Sequence, residues 1–186
     1  FQNWPPDMKL IILDNNGVIN HSSQTFIKTP DEWIPIPGSL EAIARLTHAG
    51  YRIVIATNQS GIGRGLLDMI TFNAINDKMY KAINHAGGRI DAIFFCPHTS
   101  ADKCQCRKPE TGMFNDIMQR YGVDLKNIPA VGDSLRDLQA AAAVGATPIL
   151  VLTGKGQATR AKQELPANTH VFDNLSKVVE SLVGHA

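Results

Sequence analysis

Residues 9–20 read KLIILDNNGVIN, an apolar run that ends abruptly in a carboxylate, two amides and a glycine. A short apolar run with β-branched isoleucines is typical of a strand that is buried on both faces of a parallel sheet. Such strands carry functional residues at their carboxyl ends, where Asp14 lies here. Gly17 allows a sharp turn just beyond it. The stretch alone fits an ordinary Asn-Gly turn equally well, so the later segments must decide.

Strand-like and helix-like segments alternate along the chain, which predicts an α/β fold. We predict helices near residues 40–49, 68–86, 111–121, 135–144 and 175–182, and strands near residues 10–13, 52–56, 92–95, 128–131, 149–152 and 171–172. Residues 21–37 and 154–168 follow no regular period. The expected architecture is a Rossmann-like, mostly parallel sheet with helices on both faces. We expect residues 1–7 to be an N-terminal extension and residues 8–186 to form a single domain.

The composition narrows the classes of partner. The 186-residue chain has 44% hydrophobic residues and a formal net charge of +1, which suits a globular domain with a substantial core. A net charge this close to zero argues against an extended nucleic-acid footprint or a polybasic membrane surface. No apolar run approaches the ~20 residues that cross a bilayer. We therefore expect a small-molecule partner, and neither nucleic acid nor membrane.

Polar residues follow three of the predicted strands. Asp14 follows the first strand, Thr57 and Asn58 follow the second, and Asp133 follows the fourth. Because the carboxyl ends of parallel strands meet at one edge, the two carboxylates should lie close together, and a Mg²⁺ ion would relieve their repulsion. Lys108 has the charge to neutralise phosphate oxygens at such a site. The alternative is that these acidic residues are solvated turn residues or helix caps, and Asp133 is a good N-cap candidate on its own.

Four short motifs occur in the order and at the spacing of a known family. They are DNNG at residues 14–17, TNQ at 57–59, KP at 108–109 and GDSLRD at 132–137. Together they resemble the four motifs of the haloacid-dehalogenase-superfamily phosphatases, and the likeness spans nearly the whole chain from Met8. The resemblance implies a haloacid-dehalogenase-like fold and a Mg²⁺-dependent phosphatase that works through an aspartyl-phosphate.

The resemblance also implies a role for each motif residue. Asp14 resembles the nucleophile, and Thr57 and Lys108 resemble the residues that hold the transferring phosphoryl group. Asp133 resembles the acidic Mg²⁺ ligand, and Asp137 resembles the residue that supports it. A metal ion and a lysine would offset the repulsion between a carboxylate and a phosphate, which agrees with these roles.

Asn16 departs from the family pattern. The family carries an aspartate at this position, two residues after the nucleophile, where it acts as general acid and base. An amide can neither donate a carboxylic proton to the leaving group nor accept one from water. In the family the backbone carbonyl of this residue ligates Mg²⁺, and Asn16 keeps that carbonyl. We therefore expect Asp14, Asn16 and Asp133 to bind Mg²⁺ normally while turnover is impaired.

The three cysteines of the chain lie within one short segment. Cys96, Cys104 and Cys106, together with His98, form a ligand set that is typical of a closed, tetrahedral, structural Zn²⁺ site. The alternative is three unpaired thiols beside a surface histidine. An odd number of clustered cysteines suits metal ligation in a reducing compartment, so we expect a cytoplasmic protein.

The zinc loop, residues 96–106, runs directly into Arg107-Lys108-Pro109 and narrows the resemblance. It is similar to that of the zinc-containing histidinol-phosphate and heptose-bisphosphate phosphatases, which lack a large cap domain. The histidinol-phosphate enzymes tend to carry an aspartate, suited to a substrate ammonium, where this chain has Ser60. A neutral hydroxyl suits a sugar better. The chain therefore looks like the heptose 1,7-bisphosphate enzymes, whose product feeds lipopolysaccharide or S-layer sugar synthesis.

The resemblance implies a monomeric enzyme that removes the 7-phosphate of a heptose 1,7-bisphosphate. Arg107 resembles the residue that recognises the second phosphate, for which a guanidinium is well shaped. The expected substrate-binding residues are Asn58, Gln59, Ser60, Arg107 and Ser134. Two alternatives stay open. One is a histidinol-phosphate phosphatase, and the other is a non-catalytic phosphosugar-binding protein in which Asn16 prevents hydrolysis.

Overall fold

A single parallel sheet forms the centre of the fold. The computed structural model describes residues 8–184, so the expected extension at residues 1–7 lies outside it. Within this range six parallel strands form one sheet, in the order β3-β2-β1-β4-β5-β6. The strands are β1 (Lys9–Leu13), β2 (Tyr51–Asn58), β3 (Ala92–Cys96), β4 (Pro129–Gly132), β5 (Thr147–Val151) and β6 (His170–Phe172).

Helices cover both faces of the sheet. They are α1 (Ser39–His48), α2 (Ser60–Gly63), α3 (Met69–His85), α4 (Gly112–Tyr121), α5 (Leu135–Ala143), α6 (Gly156–Ala161) and α7 (Leu175–Val183). Successive side chains of β1 point to opposite faces, as the pleat requires. Ile11 and Leu13 belong to the buried cluster that includes α1, α3 and α7, whereas Leu10 and Ile12 pack with α4 and α5. The expected Rossmann-like architecture is therefore confirmed.

The strand order creates a crevice next to β1. The chain passes from β1 outward through β2 and β3, and then returns to β4 on the other side of β1. Leu13 at the end of β1 lies level with Ile55 of β2 and Val131 of β4, so the carboxyl ends of these strands lie side by side. Ligands bind at such a reversal of strand order in open α/β sheets.

The irregular segments contain more structure than the sequence pattern indicates. Residues 154–168 include α6, and residues 21–37 include a short 3-10 helix at Pro30–Glu32. A tertiary contact holds α6, because the Thr159 hydroxyl donates to the Asp133 carbonyl at 2.7 Å. Among residues 8–184 no second domain interrupts the sheet, in agreement with the expected lack of a large cap. No helix in this range combines the length and the apolar character needed to cross a bilayer.

Candidate active site

Asp14 is the first residue beyond β1, and it is half-buried at the crevice. Its backbone N–H donates to the carbonyl of Val131 at 2.9 Å, which ties it to the end of β4. The backbone N–H of Asn15 donates to Asp14 Oδ1 at 2.9 Å. Burial and the nearby Asp137 carboxylate raise the pKa of Asp14 well above its usual value, against the opposing effect of Lys108. Lys108 alone therefore does not offset the electrostatic cost of the carboxylate, which a further cation would reduce.

Asn15 links the first two motifs, a role that the sequence pattern did not reveal. Its side-chain oxygen accepts hydrogen bonds from the Thr57 hydroxyl at 2.8 Å and from the Asn16 N–H at 2.7 Å. Gln59 Nε2 donates to Thr57 Oγ1 at 3.2 Å. The Thr57 hydroxyl therefore has to rotate away from Asn15 before it can donate to a phosphate oxygen.

Lys108 is buried, with 2% of its surface exposed, and its ammonium faces the carboxylates. Its Nζ donates to the Ala56 carbonyl and forms an ion pair with Asp137 at 3.0 Å. The Asn58 side-chain amide holds both the N–H and the carbonyl of Lys108, at 3.0 and 3.2 Å. Burial alone would lower the pKa of Lys108, but the carboxylates of Asp137 and Asp14 raise it. The lysine is therefore a fixed, charged group.

Asp137 uses both of its carboxylate oxygens within the protein. Burial favours its neutral form, but the Lys108 ammonium and hydrogen-bond donors from Ser134 lower its pKa. Oδ1 pairs with Lys108, and Oδ2 accepts from the backbone N–H groups of Asp133 and Ser134 and from the Ser134 hydroxyl at 2.9 Å. The Ser134 hydroxyl, expected to bind substrate, thus donates to Asp137 in a capping box at the start of α5.

Asp133 sits in a cradle made by two glycines. A Cβ atom on Gly17 or Gly154 would lie 2.0 or 2.3 Å from Asp133 Oδ2, and both glycines have positive φ, +84° and +56°. The backbone N–H of Lys155 donates to the same oxygen at 2.9 Å. Burial and Asp137 raise the pKa of Asp133 to about 6. The close approach of the glycines fixes the carboxylate against the end of β1.

The carboxylate cluster fits a magnesium ion. One oxygen from each of Asp14, Asp133 and Asp137 lies within 4.8 Å of the others. Within residues 8–184, Asp14 Oδ2, Asp133 Oδ1 and the Asn16 carbonyl accept no hydrogen bond, whereas both oxygens of Asp137 do. Unpartnered carboxylate and carbonyl oxygens are the ligands that Mg²⁺ takes, with its remaining positions filled by water and phosphate.

Asn16 is held by a buried neighbour. Asn20 Nδ2 donates to Asn16 Oδ1 at 2.9 Å and to the His21 carbonyl at 3.2 Å. Asn20 is fully buried, and its side chain was not singled out by the sequence pattern. The side-chain oxygen of Asn16 therefore points to Asn20. The NH₂ group is the other end of the same planar amide, beside the cavity.

One cavity brings together the predicted catalytic, substrate-binding and magnesium-binding residues, except Lys108. It is lined by Asp14, Asn16, Thr57, Asn58, Gln59, Ser60, Arg107, Asp133, Ser134 and Asp137. Its lining also includes residues that the sequence pattern missed: Ser22, Ser23, Thr25, Phe26, Arg136 and Lys155. These come from the loop after β1, the start of α5 and the segment before α6. Arg136 lies within the fourth motif, but no local signal distinguishes the others from ordinary surface residues, because the sheet topology alone brings them here.

The Cys/His cluster has the size of a tetrahedral zinc site. Cys96 Sγ lies 3.5 Å from His98 Nδ1 and 3.6 Å from Cys104 Sγ. Cys106 Sγ lies 3.2 Å from His98 Nδ1 and 3.7 Å from Cys104 Sγ. Tetrahedral bonds of about 2.3 Å to sulfur place ligand atoms about 3.8 Å apart, so a Zn²⁺ ion fits between these four.

The thiols of this cluster differ in acidity. Burial and hydrogen bonding to Cys106 raise the pKa of Cys96 to about 12. Burial also opposes ionisation of Cys104, but N–H groups such as that of Arg107, which lies 3.4 Å from Sγ, lower its pKa to about 6. N–H groups directed at a thiolate are typical of a loop that wraps a metal ion.

The zinc loop packs closely against α2, the short helix that follows the second motif. The N–H of Gly63, in α2, donates to the carbonyl of Pro97 at 2.8 Å. A Cβ atom on Gly63 would lie only 2.4 Å from that oxygen. Arg107 Nη1 donates to the His98 carbonyl at 3.3 Å, so the loop also braces the arginine at the cavity.

A carboxylate lies at the end of β1, and a buried lysine is paired with a second acidic motif. In the crevice of a Rossmann-like sheet, this arrangement defines a haloacid-dehalogenase-type phosphatase. A family model described as HAD-hydrolase-like matches residues 105–178. D-glycero-beta-D-manno-heptose-1,7-bisphosphate 7-phosphatase of Bordetella bronchiseptica is 58% identical over 179 residues, which is 96% of this chain and 100% of the relative. The chain therefore belongs to the heptose-1,7-bisphosphate 7-phosphatase family, and it is a phosphoric monoester hydrolase.

Further relatives agree with this assignment. The enzyme of the same name from Neisseria meningitidis serogroup A is 53% identical over 170 residues, 90% of this chain and 91% of the relative. The crystal structure of the B. bronchiseptica enzyme, complexed with magnesium and phosphate, matches with a TM-score of 0.94 over 96% of this chain and 100% of that one. The Burkholderia thailandensis enzyme is 51% identical, and its crystal structure matches with a TM-score of 0.76 over 95% of this chain and 99% of that one.

Proposed function

We propose that this chain removes the 7-phosphate of D-glycero-D-manno-heptose 1,7-bisphosphate, with turnover reduced by Asn16. One observation carries the choice of substrate. Outside the carboxylate cluster Asp14, Asp133 and Asp137, the cavity lining within residues 8–184 contains no acidic side chain. It contains hydroxyl and amide groups and the cationic side chains of Arg107, Arg136 and Lys155 instead. Such a lining suits sugar hydroxyls and a second phosphate, and it offers no partner for the ammonium of histidinol phosphate.

The chemistry follows from the groups around Asp14. An Asp14 carboxylate oxygen attacks phosphorus in line, the ester bond breaks, and its electron pair leaves on the sugar alkoxide. The Lys108 ammonium and the Thr57 hydroxyl hold the phosphoryl oxygens during this transfer. Water then attacks the phosphorus of the aspartyl-phosphate and loses a proton to solvent, the bond to the Asp14 oxygen breaks, and inorganic phosphate leaves the regenerated Asp14 carboxylate. A Mg²⁺ ion held by Asp14, the Asn16 carbonyl and Asp133 would offset the repulsion between the carboxylate and the phosphate.

Asn16 weakens both steps in this scheme. The sugar alkoxide that leaves from a terminal carbon is strongly basic, and the amide has no carboxylic proton to give it. The attacking water likewise lacks a carboxylate to accept its proton. Asn20 holds the amide in one orientation at 2.9 Å, so the side chain stays beside the cavity without acting as an acid. Substrate binding and the fold are unaffected in this proposal.

Zinc has a structural role in this proposal. Cys96, His98, Cys104 and Cys106 would fill all four tetrahedral positions and leave none for substrate. The ion would order the loop that braces Arg107 through the His98 carbonyl. We further propose a single-domain monomer in the cytoplasm, where a reducing environment keeps the three thiols available to the metal.

A panel of phosphate esters tests the proposal. Heptose 1,7-bisphosphate, histidinol phosphate and simple sugar monophosphates are compared on this chain and on its Asn16→Asp variant. The heptose bisphosphate should give the highest kcat/KM with both proteins. If histidinol phosphate were the best substrate, the assignment based on Ser60 and on the missing acidic side chain would be wrong. Binding of the bisphosphate without turnover in either protein would instead identify a binding protein.

A further inference from the structure

Arg107 and Arg136 form a pair of guanidinium groups at the rim of the active-site cavity. Arg107 follows the zinc loop, and Arg136 is the second residue of α5. Both line the active-site cavity, and both also line a second cavity of about 380 Å³ beside the zinc loop, which includes Lys103 and Glu110. The guanidinium pair is therefore the wall between the two cavities.

The guanidinium pair carries positive charge that the protein does not neutralise. Among residues 8–184 neither arginine forms an ion pair with a carboxylate. The Arg107 guanidinium donates to the neutral His98 carbonyl. The two residues share the lining of both cavities, and burial, followed by the charge of Arg136, lowers the pKa of Arg107. Two like charges at a cavity rim are stabilised when an anion binds between them.

The position of Arg136 in α5 adds a second unfavourable electrostatic interaction to this repulsion. The first turn of a helix favours acidic side chains, because the free N–H groups there carry partial positive charge. Arg136 puts a cation at this end, directly after Ser134 and Leu135. The acidic residue of the turn, Asp137, is already committed to Lys108 and to the cap. A local preference broken in this way is expected where a residue serves a ligand.

We propose that Arg107 and Arg136 together hold the substrate phosphate that is not cleaved, so that Arg136 is a specificity-determining residue. The inference rests on the proposed bisphosphate substrate. A guanidinium presents paired N–H donors that match phosphate oxygens, and two of them can contact different oxygens of one phosphate. Ser134, although adjacent in the chain, contributes less because its hydroxyl donates to Asp137.

Kinetics on matched substrates test the guanidinium pair. Arg136→Gln, Arg107→Gln and the double variant are assayed with heptose 1,7-bisphosphate and with heptose 7-phosphate, each in the chain as it stands and with Asn16→Asp. Arg136→Gln should lower kcat/KM for the bisphosphate about 10- to 100-fold, the range of a hydrogen bond to a charged group. The monophosphate value should change less than about twofold. Arg160→Gln, an exposed arginine outside the cavity lining, is the control.

The conservative variant separates charge from geometry. Arg136→Lys keeps the charge but loses the paired donors, so it should recover only part of the bisphosphate preference. Equal losses on both substrates, or no loss on the bisphosphate, would overturn the role of Arg136. If the protein without arginine substitutions showed no preference for the bisphosphate over the monophosphate, the proposed function would be overturned together with this inference. A preference that survives Arg136→Gln would overturn this inference alone.

Discussion

The carboxylate cluster and the zinc loop are assembled in opposite ways. Asp14 and Asp133 come from distant parts of the chain and meet because β1 and β4 are neighbours in the sheet. Hydrogen bonds and glycine contacts fix them without a metal. The four proposed zinc ligands lie within residues 96–106, on a loop whose side chains are largely exposed or half-buried. We infer that the sheet maintains the first site, whereas metal binding provides the folding free energy of the second.

The largest expected effect concerns Asp14, the proposed nucleophile in the carboxylate cluster. Asp14→Asn, made in the Asn16→Asp variant where the starting rate is highest, should lower turnover by about 10⁴-fold or more. The metal-free protein should nevertheless become more stable, because the amide removes a buried charge that Asp137 repels. Steady-state rates and thermal midpoints in chelator measure the two effects. Asp116→Asn, on the exposed side of α4, is the control. Turnover that persists would mean that another group attacks phosphorus.

The next effect concerns Asn16 in the same cluster. Asn16→Asp should raise turnover about 100-fold or more, because general acid–base catalysis contributes about 10²–10⁴-fold. The affinity for Mg²⁺ should change little, since the backbone carbonyl is kept. Rates on phosphate esters and Mg²⁺ titrations measure both quantities. An unchanged rate on every ester tested would refute the general-acid assignment and favour the binding protein.

Deamidation provides the control for that experiment. Asn16 precedes Gly17, and an Asn-Gly pair closes readily to a succinimide because glycine does not hinder the attack. In the folded chain the Gly17 N–H donates to the Asn20 carbonyl at 2.7 Å, and the Asn16 side chain is held by Asn20. We therefore expect slow conversion. Mass spectrometry of fresh and aged samples shows whether any activity tracks the mass gain of deamidation.

Zinc removal tests the second of the two compared sites, the zinc loop. The purified chain should hold close to one Zn²⁺, and Cys104→Ser should lose most of it and lower the thermal midpoint by several degrees. Activity should fall only through the misplaced Arg107, and Mg²⁺ affinity should stay the same. Gln105→Ser, an exposed neighbour within the loop, is the matched control. A chain that never met chelator and holds no zinc on metal analysis would contradict the site.

The smallest expected effect lies at the contact between α2 and the zinc loop. Gly63→Ala places a methyl group against the Pro97 carbonyl and should lower the free energy of unfolding by about 1–3 kcal/mol. It should also loosen zinc binding, because the same carbonyl belongs to the zinc loop. Gly65→Ala is the comparison, since its Cβ would meet nothing within 4 Å and only the positive φ of +70° opposes it. Identical zinc retention in the two variants would show that α2 does not support the loop.

Much of the fold was predictable because apolar runs mark buried strands. The helix α6 escaped prediction, since its contact with Asp133 through Thr159 is tertiary and leaves no local period. The motif residues were predictable from their types and spacing, but their partners were not. Asn15 and Asn20 act through hydrogen bonds that only the folded turn creates. The hydrogen bond between Ser134 and Asp137 was predictable from the sequence, because an acidic residue three positions after a serine predicts a capping box.

The hydrogen bond from Asn20 to Asn16 also bears on how such a chain changes over generations. The acceptor at 2.9 Å is an oxygen, and aspartate offers an oxygen at the same place. Exchange between the two residues therefore leaves the buried Asn20 donor satisfied, and the scaffold needs no second adjustment. Asparagine and aspartate codons differ by a single base. If Asp at position 16 restores turnover, one point mutation converts slow hydrolysis into fast hydrolysis, and the reverse mutation is equally accessible.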